Sequence, residues 1–309
     1  MFNHLLIPLD GSRLAEAALP PAAYLAEVLG AWITLVHVIE RDAPPEIHGE
    51  PHLSNPDQAR AYLDNIAVNS FPAGLRIDRH VHTAGVLDVA RSIVEHVGEL
   101  GPDLIVMCTH GQGGLRTRLF GSIAQQIIAL GGAPVLLIQP SPGRRIPEFG
   151  CRRLLVPLDG NPDHEQGLSA AADLAHACRA DLRLVMVIPT LSTVSGQQAV
   201  SARLLPGVTS ALLDLTQDEA CSYLGAQVQA LKALGLAVEA EVARGDPAKV
   251  IVHTAQKAHA DLIVLGTHGK SGMEAFWSGS VAPEVTSRSR LPLLLVPVGE
   301  SATDSPAIA

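Results

Sequence analysis

Aromatic side chains are almost missing from this 309-residue chain, in which Phe, Trp and Tyr together make up 3%. A core has to be assembled from Ala, Val, Leu and Ile instead, which suits helices packed on a parallel sheet whose strands are nearly all apolar. The same shortage argues against aromatic platforms for single-stranded nucleic acid. Positive charge is scarce as well. The net charge is −9 and no run of five or more Lys or Arg occurs, so a phosphate backbone would find no electrostatic footprint and no nucleic-acid partner is expected. Cysteine is sparse: Cys108, Cys151, Cys178 and Cys221 stand far apart without a CxxC pair. That usage fits neither a zinc knot nor a disulfide framework and points to a reducing compartment. A long apolar run is also lacking at the start, where MFNHLLIPLDGS meets Pro8 and Asp10 within a few residues and no basic region precedes it. Neither a secretory signal nor a membrane span is expected there, and the cytoplasm is the expected location.

What is present is a duplication. Leu5-Leu6-Ile7-Pro8-Leu9-Asp10-Gly11 recurs as Leu154-Leu155-Val156-Pro157-Leu158-Asp159-Gly160, 149 residues further on. Asp103-Leu104-Ile105-Val106, Thr109-His110-Gly111 and Gly121-Ser122 return in the same order as Asp261-Leu262-Ile263-Val264, Thr267-His268-Gly269 and Gly279-Ser280, now 158 residues on. Pro134-Val135-Leu136-Leu137-Ile138 against Pro292-Leu293-Leu294-Leu295-Val296 keeps that spacing, so the second copy gains nine residues in its middle. The gain is expected to enlarge the loop near Pro189 to Gly207. Length alone also favours about two domains.

Between these anchors, short apolar runs alternate with Ala-rich stretches of roughly 3.6-residue period, the pattern of βαβ units on a parallel sheet. The first copy reads as strands near 3–9, 32–38, 76–82, 103–108 and 134–138, with helices near 12–29, 56–70, 86–100 and 121–131. The second reads as strands near 153–158, 182–188, 237–243, 261–266 and 292–297, with helices near 162–179, 210–234, 247–259 and 279–290. The expected class is α/β, each copy a five-stranded parallel-type sheet flanked by four helices. Domain 1 is expected over 1–140, a Pro- and Gly-containing linker over 141–151, domain 2 over 152–298 and a flexible C-terminal tail over 299–309.

The sharpest local feature is Gly266-Thr267-His268-Gly269, followed after nine residues by Gly279-Ser280, between an apolar strand and an amphipathic helix. Glycines at a strand end let the backbone approach a ligand without a Cβ clash. The free N–H groups at the following helix N-terminus, near Gly279, attract phosphate, and Ser280 adds a hydroxyl. The alternative is that the glycines serve tight turns only and that Ser280 is an N-cap. Asp159 ends the first strand of its copy in a Pro-Leu-Asp-Gly turn. In a doubly wound sheet the strand ends beside the switch point form the ligand crevice, where Asp159 and Gly266 would face each other. Capping the next helix is the other role open to Asp159.

On these residues both halves resemble the universal stress protein family, whose nucleotide-binding members carry Gly-x2-Gly-x9-Gly-Ser/Thr after the fourth strand. The likeness spans almost the whole chain, and the second copy carries every element of the motif as Gly266, Gly269, Gly279 and Ser280. Val156-Pro157-Leu158-Asp159 and Arg244-Gly245-Asp246-Pro247 are similar to the family pattern too. The resemblance implies two Rossmann-like domains of the adenine nucleotide alpha hydrolase-like type. It implies ATP held mainly in domain 2 by Pro157, Asp159, Val187, Gly266, His268, Gly269, Gly279, Ser280 and Val281. Asp159 would lie near the nucleoside, the Val187 backbone at the base and the glycine loop around ribose and phosphates, with Mg2+ or Mn2+ as the candidate accompanying ion. In the first copy Cys108 replaces the first glycine, while Asp10, Val38, Gly111, Gly121 and Ser122 keep matching positions. A side chain at 108 would intrude on the ligand and weaken or reshape that site; the alternative for Cys108 is a small buried hydrophobe. The resemblance also implies that the domains pair through their last strands as an intrachain pseudo-dimer, leaving a homodimer open.

Other patterns carry less. Gly269-Lys270-Ser271 imitates a P-loop, but the glycine required five residues earlier is Val264. His110 and His268 recur without a partner at ligand spacing, which argues against zinc there. His80 and His82 flank Val81 on a predicted strand and share one face; with no further ligand visible they read as surface or crevice residues. Gly121-Ser122 lacks the flanks of a nucleophile elbow, so no catalytic residue is assigned. Phe276-Trp277 reads as buried against the next helix, or as part of an interface. The expected function is therefore a regulatory, ATP-binding stress-response protein, with slow hydrolysis open. The alternatives are a nucleotide-independent interaction module and an adenine-nucleotide enzyme with hydrolase or adenylyl-transfer activity, for which no extra catalytic loop or substrate domain is visible.

Overall fold

The computed structural model describes residues 2–109, 122–130, 132–139, 149–193, 204–268 and 281–298. In the first half, strands β1 (His4–Pro8), β2 (Trp32–Glu40), β5 (Ile77–Val86), β6 (Leu104–Cys108) and β7 (Val135–Ile138) alternate with helices α1 (Leu19–Leu29), α2 (Pro56–Asn69), α3 (Val89–Leu100) and α4 (Ser122–Leu130). A short hairpin, β3 (Glu46–Ile47) and β4 (Glu50–Pro51), follows β2. The second half repeats the scheme with β8 (Arg153–Leu158), α5 (Gln166–Cys178), β9 (Asp181–Ile188), α6 (Pro206–Ala233), β10 (Val238–Arg244), α7 (Pro247–Lys257), β11 (Leu262–His268), α8 (Val281–Arg288) and β12 (Leu293–Val298).

All ten main strands form one sheet in the order β10-β9-β8-β11-β12-β7-β6-β1-β2-β5. Within each half every pairing of this sheet is parallel; between halves β12 meets β7 antiparallel, with Leu293, Leu294 and Leu295 opposite Leu137, Leu136 and Val135. Alternation along the strands sorts the apolar residues into two layers. Leu5, Ile7, Leu262 and Val264 face α1, α2, α5 and α6 on one side. Leu6, Ile105, Ile263 and Leu265 face α3, α4, α7 and α8 on the other. Gln139 Nε2 donates to the Thr286 carbonyl across the junction at 3.0 Å, and Tyr24 of α1 sets its ring edge-on to Phe149 at 5.5 Å.

Three differences from the sequence reading have local causes. The helix expected over 12–29 is split into a 3-10 turn (Ala15–Ala18) and α1. Pro20 and Pro21 supply no N–H, which a helix tolerates only in its first turn. The helix expected over 162–179 likewise divides into a 3-10 turn (Pro162–His164) and α5. Extra length in the second copy appears as helix, since α6 has 28 residues and its counterpart α2 has 14, while most of the loop expected to enlarge, 194–203, lies outside the described residues. Pro206 at its first position fixes the start earlier than apolar periodicity suggests.

Candidate functional site

In each half the chain leaves the first strand on one side and returns on the other, so the carboxyl ends of β1 and β6, and of β8 and β11, flank a switch point. In the first half a cavity of about 400 Å³ opens there, within the size range of small-molecule sites. Its walls include Asp10 after β1, Val36 and Val38 of β2, Met107 of β6, Ile93 of α3 and His48 of the hairpin. Asp10 Oδ1 accepts from the backbone N–H and hydroxyl of Ser12, at 2.9 and 2.7 Å. Its other oxygen lies 3.9 Å from His48 Nε2. His48 and Gly49 both have positive φ, 54° and 81°, which turns the hairpin over the cavity in the manner of a two-residue loop.

Two further histidines line this cavity. His37 sets Nδ1 against the Leu9 carbonyl at 2.8 Å and Nε2 against the Leu53 carbonyl at 2.9 Å. Carbonyls only accept, so each of these contacts calls for a ring N–H, and the two together hold the imidazole between β1 and the loop after the hairpin. His52 lies 3.8 Å from Glu40 through Nε2, while its Nδ1 is buried with no hydrogen-bond partner among the described residues. A buried polar atom left this way gains from a ligand that supplies the missing partner.

The second half repeats the turn. Asp159 Oδ1 accepts from the Asn161 N–H at 3.0 Å, as Asp10 does from Ser12. Its Oδ2 meets His164 Nδ1 at 2.5 Å. Glu165, not Asp159, occupies the N-cap of α5, so the aspartate serves its own turn. The neighbouring strand ends are joined through Gly245, whose N–H donates to the Ile188 carbonyl at 3.0 Å and whose φ is 146°. Thr193 Oγ1 donates to the Gly245 carbonyl at 3.2 Å. Asp246 caps α7 by accepting from the Lys249 N–H at 3.0 Å.

Pro157, Asp159, Val187 and Gly266 thus lie at or near the carboxyl ends of adjacent strands β8, β9 and β11, all partly exposed or exposed, and Val281 opens α8. His268 closes β11. Asp10 and Val38 share the cavity of the first half, and Ser122 opens α4. Gly111, Gly121, Gly269, Gly279 and Ser280, with His110, Lys270, Ser271, Phe276 and Trp277, lie outside the described residues. Cys108 is buried and is not part of the cavity wall; its Sγ contacts the Thr109 carbonyl at 3.8 Å. Burial, then the charge of Asp10, pushes its thiol up to about 12, so it is an uncharged apolar filler. Sequence reasoning missed His37, His48, His52 and His164. The only signal for the hairpin was Gly49 after a polar residue; His37 and His52 are placed by tertiary contact, and His164 by a local turn five residues after Asp159.

A doubly wound α/β domain written twice, with an Asp-Gly turn at each switch point, is the class that fold and site define. Residues 1–139 and 150–297 match the Universal stress protein family, and the chain belongs to it. A universal stress protein of Mycobacterium tuberculosis is 26% identical over 300 residues, covering 94% of this chain and 96% of the relative. One from Bacillus subtilis is 28% identical over 152 residues, its whole length matching 45% of this chain. Among solved structures, a functionally unknown Pseudomonas aeruginosa protein superposes with a TM-score of 0.68 at 17% identity, over 96% of this chain and 93% of that one. A universal stress protein from Archaeoglobus fulgidus gives 0.66 at 17% identity, over 96% and 97%. No helix among the described residues is long and apolar enough to cross a membrane.

Proposed function

We propose that this chain is a regulatory adenine-nucleotide-binding protein of the stress response, holding ATP chiefly in its second half. The supporting observation is the first-half cavity. It lies at the switch point and has Asp10 and Val38 in its wall, the counterparts of Asp159 and Val187 in the copy that carries the complete glycine motif. Pro157, Asp159 and Val187 would hold the nucleoside, while Gly266, His268, Gly269, Gly279, Ser280 and Val281 would meet ribose and phosphates. Bound ATP supplies a polyphosphate whose presence can be read as occupancy; the residues of the chain supply recognition. A second, weaker site in the first half is favoured by one fact, that Cys108 stays out of the cavity wall.

The glycine loop separates this reading from a nucleotide-independent module. Gly269→Val should abolish tight ATP binding in titration calorimetry while the circular dichroism spectrum stays unchanged, because a branched Cβ fills space that the backbone needs for the ligand. Unaltered ATP affinity in that variant overturns the assignment to the second half.

A further inference from the structure

The outer strand of the first half carries a side-chain cluster unrelated to the switch point. On β5, His80 and His82 are two residues apart and therefore share one face of the sheet. Helix α3 packs on that face and brings His96 to them. His80 Nε2 and His96 Nε2 are 2.9 Å apart. The His82 ring stands edge-on to His96 at 5.0 Å. One ligand nitrogen from each of the three histidines lies within 4.8 Å of the others.

The chemistry of the cluster suits a cation. His96 is 3% exposed and its Nδ1 sits 2.6 Å from the Ser92 carbonyl. A carbonyl only accepts, so Nδ1 bears a proton, and in the neutral tautomer this leaves the lone pair of Nε2 directed toward His80. Metal-bound histidines are held in this way, the second ring nitrogen donating to a carbonyl or carboxylate. Without a metal, the 2.9 Å contact needs one N–H between the two Nε2 atoms, which His80 supplies when His96 is in that tautomer. With a metal, that proton moves to Nδ1 and all three rings remain neutral. Burial, followed by the neighbouring His96 and His82, lowers the pKa of His80 below the ordinary imidazole value, against a smaller opposing effect of Glu99. Glu99, one turn beyond His96, adds negative potential for a cation.

We propose that His80, His82 and His96 form a binding site for one divalent transition-metal ion of the zinc type. Three imidazoles with one open position form a ligand set found around zinc, and imidazole donors also suit Cu2+, Ni2+ and Co2+, whereas Mg2+ and Ca2+ prefer oxygen. At Zn–N distances of about 2.0–2.1 Å, tetrahedral ligand nitrogens stand about 3.3 Å apart. The His80–His96 pair has to open by a few tenths of an ångström and His82 has to swing inward. His80 and His82 are only partly buried, so an ion enters from the solvent side and water completes the coordination.

The test uses the full chain stripped with a chelator and titrated with ZnCl2 without nucleotide, so it is independent of the ATP reading. One equivalent should bind with a Kd below about 10 µM. His82→Ala, at a partly exposed position, should weaken this by at least the 10- to 100-fold that loss of even an outer-shell partner costs. The exposed His253→Ala should leave it unchanged. Co2+ should give the visible absorption of a tetrahedral nitrogen site in the native chain and lose it in His82→Ala. His96→Asn tests the buried ligand, with circular dichroism to check folding; if that variant unfolds, His82→Ala alone decides. Absence of one tight equivalent in the native chain, or equal Zn2+ affinity in native and folded His82→Ala protein, overturns the proposal.

Discussion

Single residues set the shape of the strand ends. Gly11 has φ +90° and a Cβ placed on it would stand 2.7 Å from Leu53 Cδ1 and 2.8 Å from Cγ, whereas Gly30, at +67°, has nothing within 4 Å. Gly11→Ala therefore combines about 1–3 kcal/mol of backbone strain with displacement of Leu53, whose carbonyl holds His37. Gly30→Ala meets only the left-handed backbone penalty, about 1–2 kcal/mol. Thermal unfolding should rank Gly11→Ala as the less stable variant, and equal melting temperatures would refute the steric argument. This turn was legible in the sequence because Leu-Asp-Gly is written twice. The histidines of the cavity were not, since nothing near His37 in the chain announces the Leu53 carbonyl that it meets.

Elements were readable where burial was strongest. Parallel strands enclosed by helices on both faces are apolar throughout, so Leu5, Leu6 and Ile7, or Ile263, Val264 and Leu265, announce a strand without any alternation. Two-residue strands carry no periodicity, and the hairpin at Glu46–Pro51 went unseen for that reason. Nor does any sequence pattern tie His96 to His80 and His82; docking of α3 on β5 does so. Helix α6 gives the clearest test at this scale, because its apolar residues divide sharply: Leu224 is 3% exposed and Leu212 is 58% exposed. Leu224→Ala should lower stability by about 2–5 kcal/mol through the cavity it leaves. Leu212→Ala should change it by no more than about 0.5 kcal/mol. Denaturant unfolding of the two variants measures the contrast, and similar losses would mean that the outer face of α6 is packed.

For the whole molecule, the decisive contact is the β7–β12 pair. Each strand ends a five-stranded sheet and is buried on its residues Val135–Ile138 and Leu293–Val296. Separation of the halves would leave two apolar edges whose N–H and C=O groups have lost their partners. Residues 1–140 and 152–309, produced separately, should form a 1:1 complex when mixed, measured by sedimentation velocity. Two soluble monomers that ignore each other at high concentration would contradict it. The family resemblance anticipated this pairing; its antiparallel sense and the continuous ten-stranded sheet became visible only in the structure.

That reversal of direction at β7–β12 has a geometrical consequence. Strands of the two halves run opposite ways through one sheet, so the Asp10 turn and the Asp159 turn emerge at opposite margins of it. Duplication has produced a two-ended object rather than a double-width pocket. Among the described residues, a visitor at one end meets the Asp-Gly turn of one copy, and news of its arrival can reach the far end by way of the shared central strands and the helices that brace them.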